Sequence, residues 1–429
     1  MVRYNRDIMA KPYSVLMGKA VRYIARLRGG GSALPGLFVE TIDRGFVADA
    51  LADLPYGVVL VSGTNGKTTT TKMVVELLES QGLTVFTNRT GSNFSRGVAA
   101  ALLGEVTARG KLNADIAVLE LDEAHAVHFV DRIPPRYSLL LNVMRDQLDR
   151  FGEIDTTAKM LQHIAQATTD TVVVNREDPR LTAVAKTLKS TVRYFGLADE
   201  LLALFPNDDE LHGSVRKKTE RPAADVLLQK FGDKATFSID GAAVSTPLKL
   251  QGIYNVFNAA AALALTRAIM GNRLDQKKLI AKLATITPAF GRGESVIIDG
   301  QPCELVLVKN PSGFRLSLRS FDPHGYATMI AINDNYADGR DMSWLWDVDF
   351  DSLKANGVSE VSGIRAYDMA LRLQYDDVAV SHVNTDLSRA LDYFLKSNPE
   401  KPKRIYCTYT AMLALRRELA KQTKVEVVS

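Results

Sequence analysis

A lysine followed by a threonine just after a glycine turn is suited to holding phosphate and a metal ion. The chain has this arrangement in Gly63-Thr64-Asn65-Gly66-Lys67-Thr68-Thr69. Gly63 and Gly66 let the backbone approach an anion, the orphan N–H groups of a helix start point at it, and Lys67 adds positive charge. Thr68 offers a hydroxyl to a Mg²⁺ shared with β and γ phosphates. The strict pattern asks for a further glycine five residues before Gly66, where Val61 stands. The flanking elements therefore decide between a nucleotide cradle and a surface turn capped by threonines. Residues 56–62 are short, apolar and β-branched, which predicts a buried strand. Met73, Val74, Leu77 and Leu78 recur at helical spacing, predicting an amphipathic helix over 67–81. A strand, a glycine turn and a helix N-terminus in succession favour the nucleotide site.

Such a site needs a carboxylate beside the cradle. Residues 116–123 read as an apolar strand ending in acids, and Glu120 is the metal candidate. A strand-end acid facing water is the alternative. Strands expected at 85–87, 137–141 and 171–174 alternate with helices and end in polar loops, among them residues 90–93, as in an open parallel α/β sheet that binds ligands at its carboxyl edge. Asn142, Asn175 and Lys309 are candidates for contact with an acceptor substrate. His125 and His163 read as ordinary packing or surface histidines.

At 429 residues the chain has room for two or three domains, and its net charge of +4 is too small to argue for nucleic acid. Two cysteines far apart, Cys303 and Cys407, suggest neither a disulfide framework nor a cysteine-rich metal site, which fits a reducing cytoplasm. No apolar run is expected to approach the roughly 18 residues that cross a bilayer, and no secretory leader is recognised. Residues 1–40 form a basic N-terminal segment, in which residues 1–28 set Arg3, Arg6, Lys11, Lys19, Arg22, Arg26 and Arg28 against Asp7. Apolar residues at helical spacing among them predict a helix packed on the next domain or resting peripherally on the inner face of the cell membrane. Gly29-Gly30-Gly31-Ser32 reads as a flexible joint.

Residues 41–290 are expected to form a central nucleotide-binding domain: a parallel sheet, a polar excursion near 207–218, a small antiparallel patch within 226–248, and helices over 255–270 and 275–284. The break at 287–293 opens a C-terminal α/β domain over 291–429, with strands at 305–308, 326–332 and 404–408. Its loop 333–347 interleaves acids with both tryptophans of the chain, a composition suited to recognition.

The turn Gly63-Thr64-Asn65-Gly66-Lys67-Thr68-Thr69-Thr70 resembles the P-loop of the Mur ligase superfamily, whose members activate a carboxylate as an acyl phosphate and join it to an amine. The resemblance runs from about residue 40 to the end and implies a Mur ligase central domain followed by a Rossmann-like C-terminal domain. It makes Glu120 a Mg²⁺ ligand with Thr68, places Asn255 and Asn258 at the adenine side, and sends Arg292 from the interdomain linker to the phosphates.

More narrowly, residues 145–155 (RDQLDRFGEID), Lys309-Asn310-Pro311 and above all residues 333–347 (NDNYADGRDMSWLWD) resemble the MurT family of lipid II isoglutaminyl synthase subunits. That resemblance implies ATP-dependent amidation of the D-glutamate α-carboxyl of the lipid II stem peptide. Lys67, Glu120 and Asp341 would be the catalytic groups. Asp341 would complete the Cys–His–Asp triad of a GatD-like glutaminase partner that supplies ammonia.

The residues fit that division of labour. Neither Cys303 nor Cys407 sits on a Gly-x-Cys-x-Gly elbow. Only 62 residues precede Gly63, too few for a nucleotide-sugar domain as well as the first strand, which agrees with a lipid-linked substrate. Some relatives carry a four-cysteine zinc ribbon; residues 196–236 hold no cysteine, so no structural zinc is expected. Gln147 stands where many Mur ligases have histidine, and no carbamoylated lysine is identified, leaving the second Mg²⁺ site unassigned. Two rivals share the P-loop: a folylpolyglutamate-synthase-like amide ligase and a non-enzymatic P-loop protein that binds a partner.

Overall fold

The computed structural model describes residues 12–27, 34–88, 95–146, 154–207, 210, 221–250, 252–287 and 292–422. The expected joint at 29–32, the loop at 90–93, Gln147, most of the polar excursion and the break at 288–291 lie outside them.

The apolar runs of the first part are β-rich and separated by helices, and they build one nine-stranded sheet. Its strands are β1 Val58–Ser62, β2 Val85–Thr87, β3 Ile116–Glu120, β4 Tyr137–Leu140, β5 Thr171–Asn175, β6 Thr191–Leu197, β7 Val226–Lys230, β8 Ala235–Ile239 and β9 Ala242–Thr246, in the order β2-β3-β1-β4-β5-β6-β7-β8-β9. Pairings from β2 to β7 are parallel, and β7–β8–β9 are antiparallel. The antiparallel patch is thus a continuation of the main sheet, joined through β6 and β7, rather than a separate unit.

Alternation along β1 sends Val59 and Val61 to one face and Val58 and Leu60 to the other. The first face is covered by α4 (Lys67–Ser80) and the helices Ile253–Met270 and Gln276–Leu283. The second is covered by α1 (Pro12–Leu27), α2 (Leu34–Ile42), α3 (Phe46–Leu51), α5 (Ser95–Glu105), α6 (Glu123–Val130) and the helix Ile154–Ala167. Residue 40 lies inside α2, so the described N-terminal helices form part of this layer.

The stretch Ile253–Arg273, which contains the helix Ile253–Met270, corrects the expectation of no membrane-length apolar stretch, since by length and hydropathy it passes that test while lying mostly buried. It is apolar nearly all round because α4 and β5–β7 enclose it. The run at 116–123 also divides differently from the expected single strand. β3 stops at Glu120, Asp122 caps the next helix by accepting from the Ala124 N–H, and Glu123 opens α6.

A second sheet follows: β10 Arg292–Ile298, β11 Gln301–Leu307, β12 Ala327–Ala331, β13 Glu360–Ser362, β14 Val383–Asn384 and β15 Lys403–Cys407, in the order β10-β11-β15-β12-β13-β14. All its pairings are parallel except the β10–β11 hairpin. One face packs on the helices Leu387–Ser397 and Tyr409–Leu419, the other on Pro311–Ser320, Ala366–Tyr375 and the tryptophan loop. The chain is therefore a mixed α/β protein with two sheets, and the phosphate turn lies at the carboxyl end of β1, the third strand of the first sheet.

Candidate active site

The turn after β1 is held by the turn after β4. Asn142 receives the Asn65 N–H on its Oδ1 at 2.9 Å and donates its Nδ2 to the Asn65 carbonyl at 3.0 Å. Thr64 binds Met144 in the same reciprocal way, at 3.2 and 3.0 Å. Gly66 has φ +90°, and a Cβ there would come within 2.8 Å of Asn258 Oδ1. Asn258 therefore lies directly over the turn, and the Asn-x-x-Asn helix start and the P-loop share one site. Asn142 braces the turn through both ends of its side-chain amide. Asn175 likewise donates to the Leu141 carbonyl at 2.9 Å and accepts from the Glu177 N–H at 3.0 Å.

Lys67 is buried. Its Nζ donates to the Gly63 carbonyl at 2.6 Å and pairs with Glu123 Oε1 at 3.2 Å. Burial disfavours its charge, but the carboxylates of Glu123, Asp122, Asp146 and Glu120 outweigh this and raise its pKa above the ordinary lysine value. Thr68 Oγ1 donates to Glu120 Oε1 at 2.8 Å. Glu120 is itself fixed through its backbone by Asn88, which accepts its N–H at 3.0 Å and donates to its carbonyl at 2.7 Å. A hydroxyl and one carboxylate side by side fit a Mg²⁺–nucleotide site, where phosphates and water complete the coordination. Among the described residues no three His, Cys, Asp or Glu side chains cluster as a metal site.

A cleft opens between the two sheets. Asn65, Gly66, Thr69, Asn255 and Asn258 line one side, and Lys309, Gly313 and Phe321 line the other. Asn310 links the two: its Oδ1 caps the helix Pro311–Ser320 by accepting from Gly313 N–H at 2.6 Å, while its Nδ2 donates to Asp146 Oδ1 at 2.9 Å. The same Nδ2 approaches Asn65 Oδ1 at 3.4 Å. Ser312 donates to the Arg145 carbonyl at 2.9 Å, and Arg145 pairs with Asp347 at 3.7 Å. Arg292 begins β10, and its side chain lies outside the described residues.

Asp341 stands apart from this cluster, half-exposed on the tryptophan loop of the second sheet. It accepts from the Ser343 N–H at 2.8 Å, and its bonds to Ser343 hold its carboxyl below the usual range. The loop around it is pinned at both ends. Buried Asp338 accepts from the Thr410 N–H at 2.7 Å and its hydroxyl at 2.5 Å. Arg372 donates to the Leu345 and Val348 carbonyls at 3.3 and 2.6 Å and lies against the Trp346 ring. Both cysteines are buried, and desolvation pushes the Cys303 thiol up to about 12 and Cys407 higher. Neither is an activated nucleophile.

The sequence reading singled out the P-loop, Glu120, Asn255, Asn258 and Asp341; it gave no role of their own to Glu123, Asn88 or Asp146 and named Asn310 only as part of the family resemblance. An asparagine before a proline at a helix start is a capping signal that could have marked Asn310, and it was not used. Nothing local marks its second role toward Asn65.

A Mur ligase middle domain family model matches residues 61–266, and a MurT ligase C-terminal model matches residues 307–412. The chain is 31% identical to the Streptococcus pneumoniae protein named lipid II isoglutaminyl synthase (glutamine-hydrolyzing) subunit MurT, over 95% of this chain and 96% of that one. It is 28% identical to the Staphylococcus aureus protein of the same name, over 86% and 88%. Among solved structures, MurF from Acinetobacter baumannii superposes with a TM-score of 0.67 at 17% identity, covering 91% of this chain and 80% of that one, a likeness of fold. Mur ligases are ATP-dependent, and the two relatives are named as one subunit of an enzyme. With its P-loop, Glu120 and tryptophan loop set within that span of identity, the chain belongs to the MurT family of Mur ligases.

Proposed function

We propose that the chain amidates the α-carboxyl of D-glutamate in the lipid II stem peptide, giving D-isoglutamine, with ammonia from a GatD-like glutaminase subunit. The observation that carries this reading is the separation of two half-sites in one chain: a complete phosphate-binding cluster on the first sheet and a pinned, accessible aspartate on the second, with no activated thiol.

Residues 63–69 and Lys67 bind the phosphates of ATP, Asn255 and Asn258 meet the adenine side, and Arg292 reaches the phosphates. Thr68 and Glu120 would hold Mg²⁺, which would neutralise charge on the β and γ phosphates. Attack of the substrate carboxylate on the γ-phosphorus of ATP would break the bond to ADP, release ADP and give an acyl phosphate, from which ammonia would displace phosphate to leave the amide. The protein's contribution is positioning and charge neutralisation: Asn142 and Asn88 keep the turn and Glu120 in place, and Lys67 stays cationic. Asp341 orients the partner's catalytic histidine. On the same loop Tyr336 and Trp346 are exposed, and Trp346 meets the exposed Tyr375 edge-on at 5.1 Å, an aromatic surface suited to a protein partner.

The test is co-expression with a glutaminase of this class and an assay of ATP-driven lipid II amidation. By analogy with serine proteases, Asp341→Asn is expected to lower glutamine-dependent amidation by about 10⁴ while amidation from free ammonium persists. Equal loss of both activities, or of neither, overturns the assignment. Folate as the accepted substrate, or nucleotide binding without turnover, would decide for one of the two rivals.

A further inference from the structure

The helix α1 turns its larger apolar side chains away from the protein. Its buried face is small: Ser14, Val15, Gly18 and Ala25. A Cβ on Gly18 would come within 2.7 Å of Leu103, so the helix is seated closely on α5. Ser14 Oγ donates to Asp43 Oδ2 at 2.8 Å and Lys19 Nζ to the Val106 carbonyl at 2.6 Å, which fixes its rotation. Tyr13, Leu16, Met17, Tyr23 and Ile24 then form an outward stripe at helical spacing, each between 48% and 67% exposed. A helix that merely covered a sheet would turn these residues inward. On the adjoining α2, Leu34 and Leu37 are exposed as well.

We propose that this face docks on an anionic phospholipid surface. In the sequence, the stretch 1–28 sets its seven Lys and Arg against Asp7. Lys19 and Arg22 are directed onto Val106 and Gly104, so the attraction is that of the net positive charge of the whole segment and not of cations placed beside the stripe. An apolar stripe on a basic segment fits a bilayer interface, where apolar side chains enter the headgroup–acyl boundary and net positive charge is drawn to anionic lipid. Tyr13 and Tyr23, near the two ends of the stripe, are of the type that settles at that level. The docking face stands independently of the ligase reading and lies on a different sheet from the aromatic surface of the tryptophan loop.

The test is flotation of the full chain with vesicles of phosphatidylglycerol and phosphatidylcholine, without substrate or nucleotide. Binding is expected to the mixed vesicles at low salt and to fall in pure phosphatidylcholine or at high salt. The double variant Leu16→Gln/Ile24→Gln is expected to bind mixed vesicles at least about tenfold more weakly, with unchanged thermal denaturation because both side chains are exposed. Absence of flotation, or undiminished flotation of the variant, overturns the proposal. So does a wild-type dimer, or a complex with the glutaminase, that the variant disrupts while lipid binding persists. Amidation from ammonium of a detergent-solubilised substrate tests the ligase reading separately and should be the same in the variant.

Discussion

Glu123→Ala probes the pair at the centre of the phosphate site. Lys67 Nζ and Glu123 Oε1 are 3.2 Å apart with side chains only 5% and 2% exposed. Removing one member of such a pair leaves the other charge buried and typically costs about 3–5 kcal/mol. Lys67 keeps the Gly63 carbonyl at 2.6 Å and the field of Asp122, Asp146 and Glu120, so the lower end applies, about 3 kcal/mol. For a domain of this size that is a fall in Tm of about 6–12 °C. Denaturation would be followed for wild type, Glu123→Ala, Lys67→Met and the double variant. The double variant is expected to be more stable than the sum of the single losses by about 2 kcal/mol. Lys67 has a raised pKa, so its share of this stability is complete below the ordinary lysine value and lost only as pH climbs through the raised one. The coupling should therefore be flat from about pH 6 to 9. Single variants within about 0.5 kcal/mol of wild type, or additive losses, would refute the argument.

Thr68→Ala and Glu120→Ala should each lose amidation from both glutamine and ammonium; full activity of Glu120→Ala would remove it from the metal site. Asp338→Ala, which frees the Thr410 end of the tryptophan loop, should reduce glutamine-dependent amidation at least about tenfold while ammonium-dependent turnover stays near wild type, measured on the same preparations. Desolvation raises the Asp178 carboxyl to about 6. Its favourable contribution is thus present below the unfolded value of about 3.9 and lost as pH rises through about 6, a span worth up to about 3 kcal/mol. Asp178→Asn should flatten that slope in pH-dependent urea denaturation. Neither cysteine should react with iodoacetamide in the native chain at neutral pH, as mass spectrometry would show.

Local chemistry made much of the site readable. A glycine turn between an apolar strand and a helix is a short-range signal, and β1 and α4 follow it within about two residues. The antiparallel strands followed from alternation, but their attachment to β6 did not, because a parallel pairing leaves no local trace. Glu123 was grouped with the strand acids because a run of carboxylates hides where one element stops; the Asp122 cap separates them. Asn310 was named only for the family resemblance; its cap has a local signal, but its bridge has none, since Asn65 lies 245 residues earlier. The outward stripe of α1 was expected to face either core or lipid, and only packing against α5 decides which way it looks.

Asn310 is a latch whose two jaws belong to different bodies. The Gly313 cap travels with the second sheet, whereas Asp146 and Asn65 travel with the first. Any swing of one lobe against the other that preserves the cap must strip the bridge to Asp146 and Asn65.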